Sequence, residues 1–179
     1  EFQVKPVPGA ELTDSEYRQA TAFQEATGEL ARRAYGAAAE VARLEDRLRH
    51  LRQALLETSR ADPALFTRLE EIEASVAALR VRLMGDRIRG RWDEPSVPSV
   101  LRRVSQVAGS QWDNRQLPTA TQRQSLAVAQ TKFAAVSAEL STLLETELPR
   151  FEADLEAAGA PWTPGRKLPP PTPAGSPFF

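Results

Sequence analysis

From residue 23 to residue 55 the apolar and small residues recur in alternating steps of four and three: Phe23, Thr27, Leu30, Ala34, Ala37, Val41, Leu44, Leu48, Leu51 and Leu55. Such a stripe lies along one face of an α-helix and forms a heptad seam. Upstream, Thr13 and Glu16 are spaced as a capping box, in which the hydroxyl accepts from the Glu16 amide and the carboxylate reaches back. No proline intervenes before Pro63. The pattern predicts a helix over about 14–58. At about 1.5 Å per residue it would be roughly 67 Å long, more than propensity alone can hold, so other helices must cover its stripe.

Asp62 and Pro63 mark a second start, an acceptor at the N-cap followed by a residue whose missing amide is not needed there. Leu65, Leu69, Ile72, Val76, Leu79 and Leu83 repeat the spacing, and Gly85 offers a left-handed stop. This predicts a helix over about 62–84, folded back on the first by the short link. Residues 85–118 are irregular in Gly and Pro, with one amphipathic run at Val100, Leu101, Val104 and Val107 that predicts a short helix over about 98–108. Thr119 and Gln122 form another capping box. Leu126, Ala129, Phe133, Val136, Leu140, Leu144, Leu148, Phe151 and Leu155 then predict a helix over about 120–157, with a kink or break at Pro149.

The expected fold is therefore all-α: an antiparallel helical bundle of three main helices plus a short one over 13–158. A leading strand or linker over 1–12 precedes it, and a Pro-rich extended tail over 159–179 follows. Pro161, Pro164, Pro169, Pro170, Pro171, Pro173 and Pro177 crowd that tail, which is expected to dock near Trp162.

Composition narrows the function. The chain has 179 residues, 41% of them hydrophobic, with formal net charge −1, which suits a folded domain and makes nucleic acid an unexpected partner. Without cysteine there is no disulfide framework, thiol nucleophile or thiolate metal site. A single His50 makes a histidine-built site hard to assemble, and it is read as a surface residue. No apolar run reaches the length of about 18 residues that suggests a membrane span, and no targeting signal opens the chain. The start at Glu1 reads as a fragment or a processed product.

Candidate chemistry is sparse. Glu70, Glu71 and Glu73, Glu145 and Glu147, and Asp154 and Glu156 are paired carboxylates, but they lie away from the seams and read as solvated helix surface. The Glu-x-x-His motif of a di-metal bundle is missing, since Arg47 stands three residues before His50. No catalytic, metal or cofactor-binding residue is expected. The strongest charge feature is Arg80, Arg82, Arg87, Arg89 and Arg91, with Arg102 and Arg103 nearby. It would suit phosphate or an acidic partner, or else pair with Asp86, Asp93 and Glu94 to hold the crossover in place. Trp92, Trp112 and Trp162 suit either a carbohydrate platform or, the preferred reading, plugs over the ends of the core. Arg87, Arg89, Arg91 and Trp162 are the interaction candidates.

The segment Leu155-Glu156-Ala157-Ala158-Gly159-Ala160-Pro161-Trp162-Thr163-Pro164-Gly165-Arg166, with Pro118, Thr119 and Gln122, resembles the C-terminal helical region of bacterial exported sortilin-like proteins. These are β-propeller proteins often labelled glycosyl hydrolases with BNR or Asp-box repeats. Phe2, Val4, Lys5, Pro6, Val7, Pro8 and Gly9 look like the last strand of the β-domain that precedes the helices in that family. The resemblance implies an extracellular, periplasmic or cell-surface location. It also implies a non-catalytic module whose partners are protein: upstream domains of the same polypeptide, a second copy or an assembly partner. The propeller box Ser-x-Asp-x-Gly-x-x-Trp is missing from this chain, so no catalytic residue carries over. The competing expectation is a helical subunit or spacer of a larger assembly, membrane-associated or filamentous, without direct membrane insertion.

Overall fold

A computed structural model describes residues 12–59, 61–112 and 116–166 of the chain. Most of the segment read as a leading strand and the end of the Pro-rich tail lie outside these residues. The described residues form helices and connecting turns, with no strand among them. The helices are α1 (Asp14–Glu57), α2 (Pro63–Met84), α3 (Arg87–Arg91), α4 (Val100–Trp112), α5 (Ala120–Thr142) and α6 (Leu148–Ala157); a π-turn, Leu143–Glu147, separates the last two.

The helix starts are fixed by the caps that the sequence spells out. The Thr13 amide donates to Glu16 Oε2 at 2.8 Å and the Glu16 amide to Thr13 Oγ1 at 3.4 Å. At α5 the Thr119 amide donates to Gln122 Oε1 at 2.7 Å, and the Gln122 amide returns to Thr119 Oγ1 at 3.2 Å. Asp62 Oδ1 accepts from the Ala64 amide at 2.9 Å. Each cap satisfies donors that the first turn leaves without a carbonyl. At the far end of α2, Gly85 has φ +100° and its amide donates to the Val81 carbonyl at 2.8 Å, which closes the helix in the left-handed region.

The chain packs as two units. In the described residues one comprises 12–40 with 78–139, the other 41–77 with 140–166. The first takes its core from Leu30, Ala34 and Ala38 of α1, Leu79 and Leu83 of α2, Val100, Val104 and Val107 of α4, and Leu126, Ala129, Phe133 and Val136 of α5. The Arg33 guanidinium lies 5.3 Å from the Phe133 ring centroid, Tyr35 shares a 3.4 Å hydrogen bond with Ser105, and Gln122 Nε2 donates to Ser110 Oγ at 2.7 Å.

The second unit buries Val41, Leu44, Leu48, Leu51 and Leu55 of α1 with Leu69, Ile72 and Val76 of α2, and with Leu140, Leu143, Leu148, Phe151 and Leu155. Burying one such side chain contributes about 1.5–3 kcal/mol relative to leaving it in water. Three ion pairs then join its helices two by two. Arg52 of α1 bridges Glu73 of α2, Arg68 of α2 bridges Asp154 of α6, and Arg47 of α1 holds Glu152 of α6 through two bonds of 2.7 Å.

Four expectations need correction. The short helix begins at Val100 rather than 98, because Ser99 caps it by accepting from the Arg102 amide at 3.2 Å, and it runs on to Trp112 rather than ending at 108. Residues 87–91, expected to be loop, form a helical turn capped by Asp86. Ala38, one residue along from the expected Ala37, is the buried one. Finally, the interruption expected at Pro149 falls in the turn before it, where the π-turn Leu143–Glu147 separates α5 from α6, and it shifts the core position. The Leu148 amide reaches back five residues to the Leu143 carbonyl, so the core passes to Leu143 rather than Leu144. Pro149 has no amide to offer the preceding turn, and widening that turn realigns Leu148 with the core.

Candidate interaction surface

In the first unit, α2 ends at Met84 and the chain turns through Gly85 into α3. Asp86 caps α3, its Oδ1 accepting from the Ile88 amide at 2.8 Å and the Arg89 amide at 3.2 Å. The turn closes when the Trp92 and Glu94 amides both donate to the Arg89 carbonyl at 3.1 Å, with Asp93 in the left-handed region at φ 49°. Aspartate tolerates that conformation better than most residues.

Nothing on α3 is buried. Ile88, Trp92 and Val97 are 72%, 76% and 74% exposed, and five of the nine large exposed apolar side chains among the described residues lie in residues 81–97 (the other two are Val81 and Met84). Single exposed apolar residues are ordinary, whereas a cluster marks a surface with a use. Arginines alternate with them. Arg89 is held by Asp86 at 3.7 Å and Glu94 at 3.9 Å, as expected of the crossover acids. Arg82 reaches across to Glu139 of α5, with one bond of 2.8 Å. That hydrogen bond holds the Glu139 carboxyl below the ordinary carboxylate range. Arg87 and Arg91 have no ion pair among the described residues.

Two depressions adjoin the segment. A hollow of about 150 Å³ is lined by Met84, Arg87, Gly90, Ser96, Val97 and Arg102 among others. Val97 and Pro98 also line a groove of about 230 Å³, with Val81, Arg82, Lys132 and Val136. A third, of about 420 Å³, lies between α1 and α4 of the same unit, against Gln24, Thr27, Gly28, Gln111 and Trp112. There the buried Gln111 Nε2 has no hydrogen-bond partner.

Trp162 belongs to the other unit and is not grouped with the arginines. It is 39% exposed and lies against Arg166, whose guanidinium is 4.5 Å from the ring centroid. Arg166 is itself buried, donating to the Pro161 carbonyl at 3.0 Å and the Glu152 carbonyl at 3.3 Å. Residues 160–166 thus fold onto α6, as expected of the docked part of the tail. Sequence reasoning missed Arg166 as the anchor; the signal was an arginine after a proline and a glycine, four residues from a tryptophan. The reading of tryptophans as plugs fails for the other two. Trp92 ends the exposed α3 turn, and Trp112 closes α4 at 88% exposure, so neither covers the core.

The paired carboxylates are dispersed. Glu70, Glu71, Glu145 and Glu156 are exposed, while Glu73 and Asp154 are taken up by Arg52 and Arg68. His50 is exposed. Among the described residues no group of three or more acidic or histidine side chains is arranged to hold a metal ion, and no helix is long and apolar enough to cross a membrane. Compared with known proteins, the chain matches no protein family, no curated protein and no solved structure.

Proposed function

We propose that this chain is a non-catalytic structural and interaction module of an exported, multidomain protein of the β-propeller type. Its partners in this reading are protein: upstream domains of the same polypeptide or a second copy. The carrying observation is the use made of the charged side chains. In the second unit Arg47, Arg52 and Arg68 each join a different pair of helices, so carboxylates that would have to converge for acid–base chemistry serve instead as ties. The exported, propeller-type setting draws its support from residues 155–166, the segment that carries the resemblance and that folds back on α6 through Arg166.

Light scattering and thermal melts over a range of protein concentration test the proposal. A monomer with a concentration-independent melt supports a module that packs on neighbouring domains, and a melting point that rises with concentration identifies a second copy as the partner. Turnover of glycosides by the isolated chain, above the background of a heat-denatured sample, would overturn it.

One observation favours a second reading, a helical subunit or spacer of a larger, membrane-associated assembly. It is the exposed segment 81–97, where arginine and large apolar side chains share one surface.

A further inference from the structure

The geometry points to residues 84–102 as a docking surface for an anionic phospholipid bilayer, with phosphate taken between Arg87 and Arg102 and with Ile88 and Trp92 entering the headgroup boundary. This goes beyond the protein-module reading and stands or falls apart from it.

The segment asks for two chemistries at once. Arg87, Arg91 and Arg102 present planar donor groups suited to phosphate oxygens, and none of them forms an ion pair among the described residues. Arg89 is excluded, being held by Asp86 and Glu94. Between these cations stand Ile88, Trp92 and Val97, each about three-quarters exposed. A purely acidic protein surface would answer the arginines and leave the apolar side chains in water. A nucleic acid would answer the arginines and stack on Trp92, but it offers nothing to Ile88, Met84 or Val97. A bilayer with acidic headgroups puts phosphate and hydrocarbon within a few ångströms of each other, and so meets both demands.

The local shape agrees. Arg87 and Arg102 line one hollow of about 150 Å³, large enough for a phosphodiester, whose wall also includes Ser96 and Gly90. Met84 and Val97, at the same hollow, are exposed apolar residues. Charge leans the same way there: within residues 84–102 four arginines stand against Asp86, Asp93 and Glu94, although the whole chain is at −1. Tryptophan favours the interfacial depth, and arginine reaches up from it to the phosphates.

The test is sedimentation of the full chain with phosphatidylcholine vesicles, with and without phosphatidylglycerol. We expect binding to the mixed vesicles, weak binding to the neutral ones, and loss as salt is raised. Arg87→Glu with Arg91→Glu should weaken binding on the order of tenfold or more, since each arginine near an anionic surface contributes about as much as a fivefold change in affinity. In a chain with Trp112→Phe and Trp162→Phe, Trp92 emission should shift to the blue when mixed vesicles are added. Arg87, Arg91 and Trp112 are exposed and Trp162→Phe keeps a ring against Arg166, so unchanged melting points will show that the variants are folded. Equal binding to both vesicle types, no binding to either, or an unshifted Trp92 overturns the inference. So does competition by inorganic phosphate at the concentration of the lipid headgroups, which would reveal a site for free phosphate, or preferential binding of a single-stranded oligonucleotide. None of these results bears on glycoside turnover or on the concentration dependence of melting, so the structural-module reading is judged separately.

Discussion

Leu48 lies in the buried core of the second unit, with Leu51, Leu55, Leu69 and Phe151. Leu48→Asp places a carboxylate where water cannot reach it and should reduce stability by about 3–5 kcal/mol, read as a lower denaturant midpoint. Arg43→Asp, five residues away on the exposed side, should change stability by under about 1 kcal/mol, because a surface charge keeps most of its solvation. Equal losses would mean that α1 buries a different face. Arg166 poses a different problem. Its guanidinium is buried by stacking on Trp162 and by carbonyl acceptors at Pro161 and Glu152, so a replacement must match a plane and two donors as well as a charge. Arg166→Lys keeps only the charge and Arg166→Ala keeps nothing. Chymotrypsin cleavage after Trp162 should therefore accelerate in both, most in Arg166→Ala, and unchanged cleavage would show that Arg166 does not anchor this segment.

At the scale of the elements, the helices with caps and steady three-four steps were legible. Thr13 with Glu16, Asp62 with Pro63, and Thr119 with Gln122 each close a first turn as their spacing implies. What was not legible has identifiable causes. The α3 turn has no buried residue, so hydrophobic periodicity carries no trace of it, and its only mark is the Asp86 cap. The surface around it was readable in part: the arginines stood out by charge, but exposure of Ile88, Trp92 and Val97 depends on packing that a sequence pattern does not express. The π-turn was hidden because Leu143 and Leu144 are adjacent and both apolar, and an α-helical count chooses Leu144. The step from Leu143 to Leu148 spans five residues, one more than an α-turn accommodates. This reasoning predicts the effect of shortening. Deletion of exposed Glu145 combined with Pro149→Ala should turn the five-residue step into a regular four and restore the missing amide, leaving a folded chain with a melting point near that of the parent. Deletion of exposed Ala134 within α5 should instead rotate every later core residue by about 100° and abolish the cooperative melt. If both deletions behave alike, the extra residue is not what the π-turn absorbs.

At the scale of the whole molecule, acid should weaken the fold by way of a few identifiable carboxylates. The Thr13 amide and hydroxyl hold Glu16 below its ordinary value of 4.5, Arg32 does the same for Glu29, and Arg82 does so for Glu139. All three shifts have one sign. The native chain takes up these protons at lower pH than the unfolded chain does, so the unfolded state holds more protons between the two values, and stability rises with pH across that window. Each contribution is complete above 4.5 and disappears as pH falls through the lowered native value. The groups are open to solvent and screened, Glu16 in part and Glu29 and Glu139 as exposed side chains, so each effect is small, but the three lie on α1 and α5 of one unit and act in the same direction. Thermal melts from neutral pH downward should show the melting point falling once pH drops below about 4.5. Glu139→Gln should lower the melting point at neutral pH, where the Arg82 bridge is lost, and reduce the further fall in acid, because the substituted side chain no longer titrates. Parallel curves for Glu139→Gln and the parent across the acid range would show that the Arg82 bridge contributes nothing to the folded state.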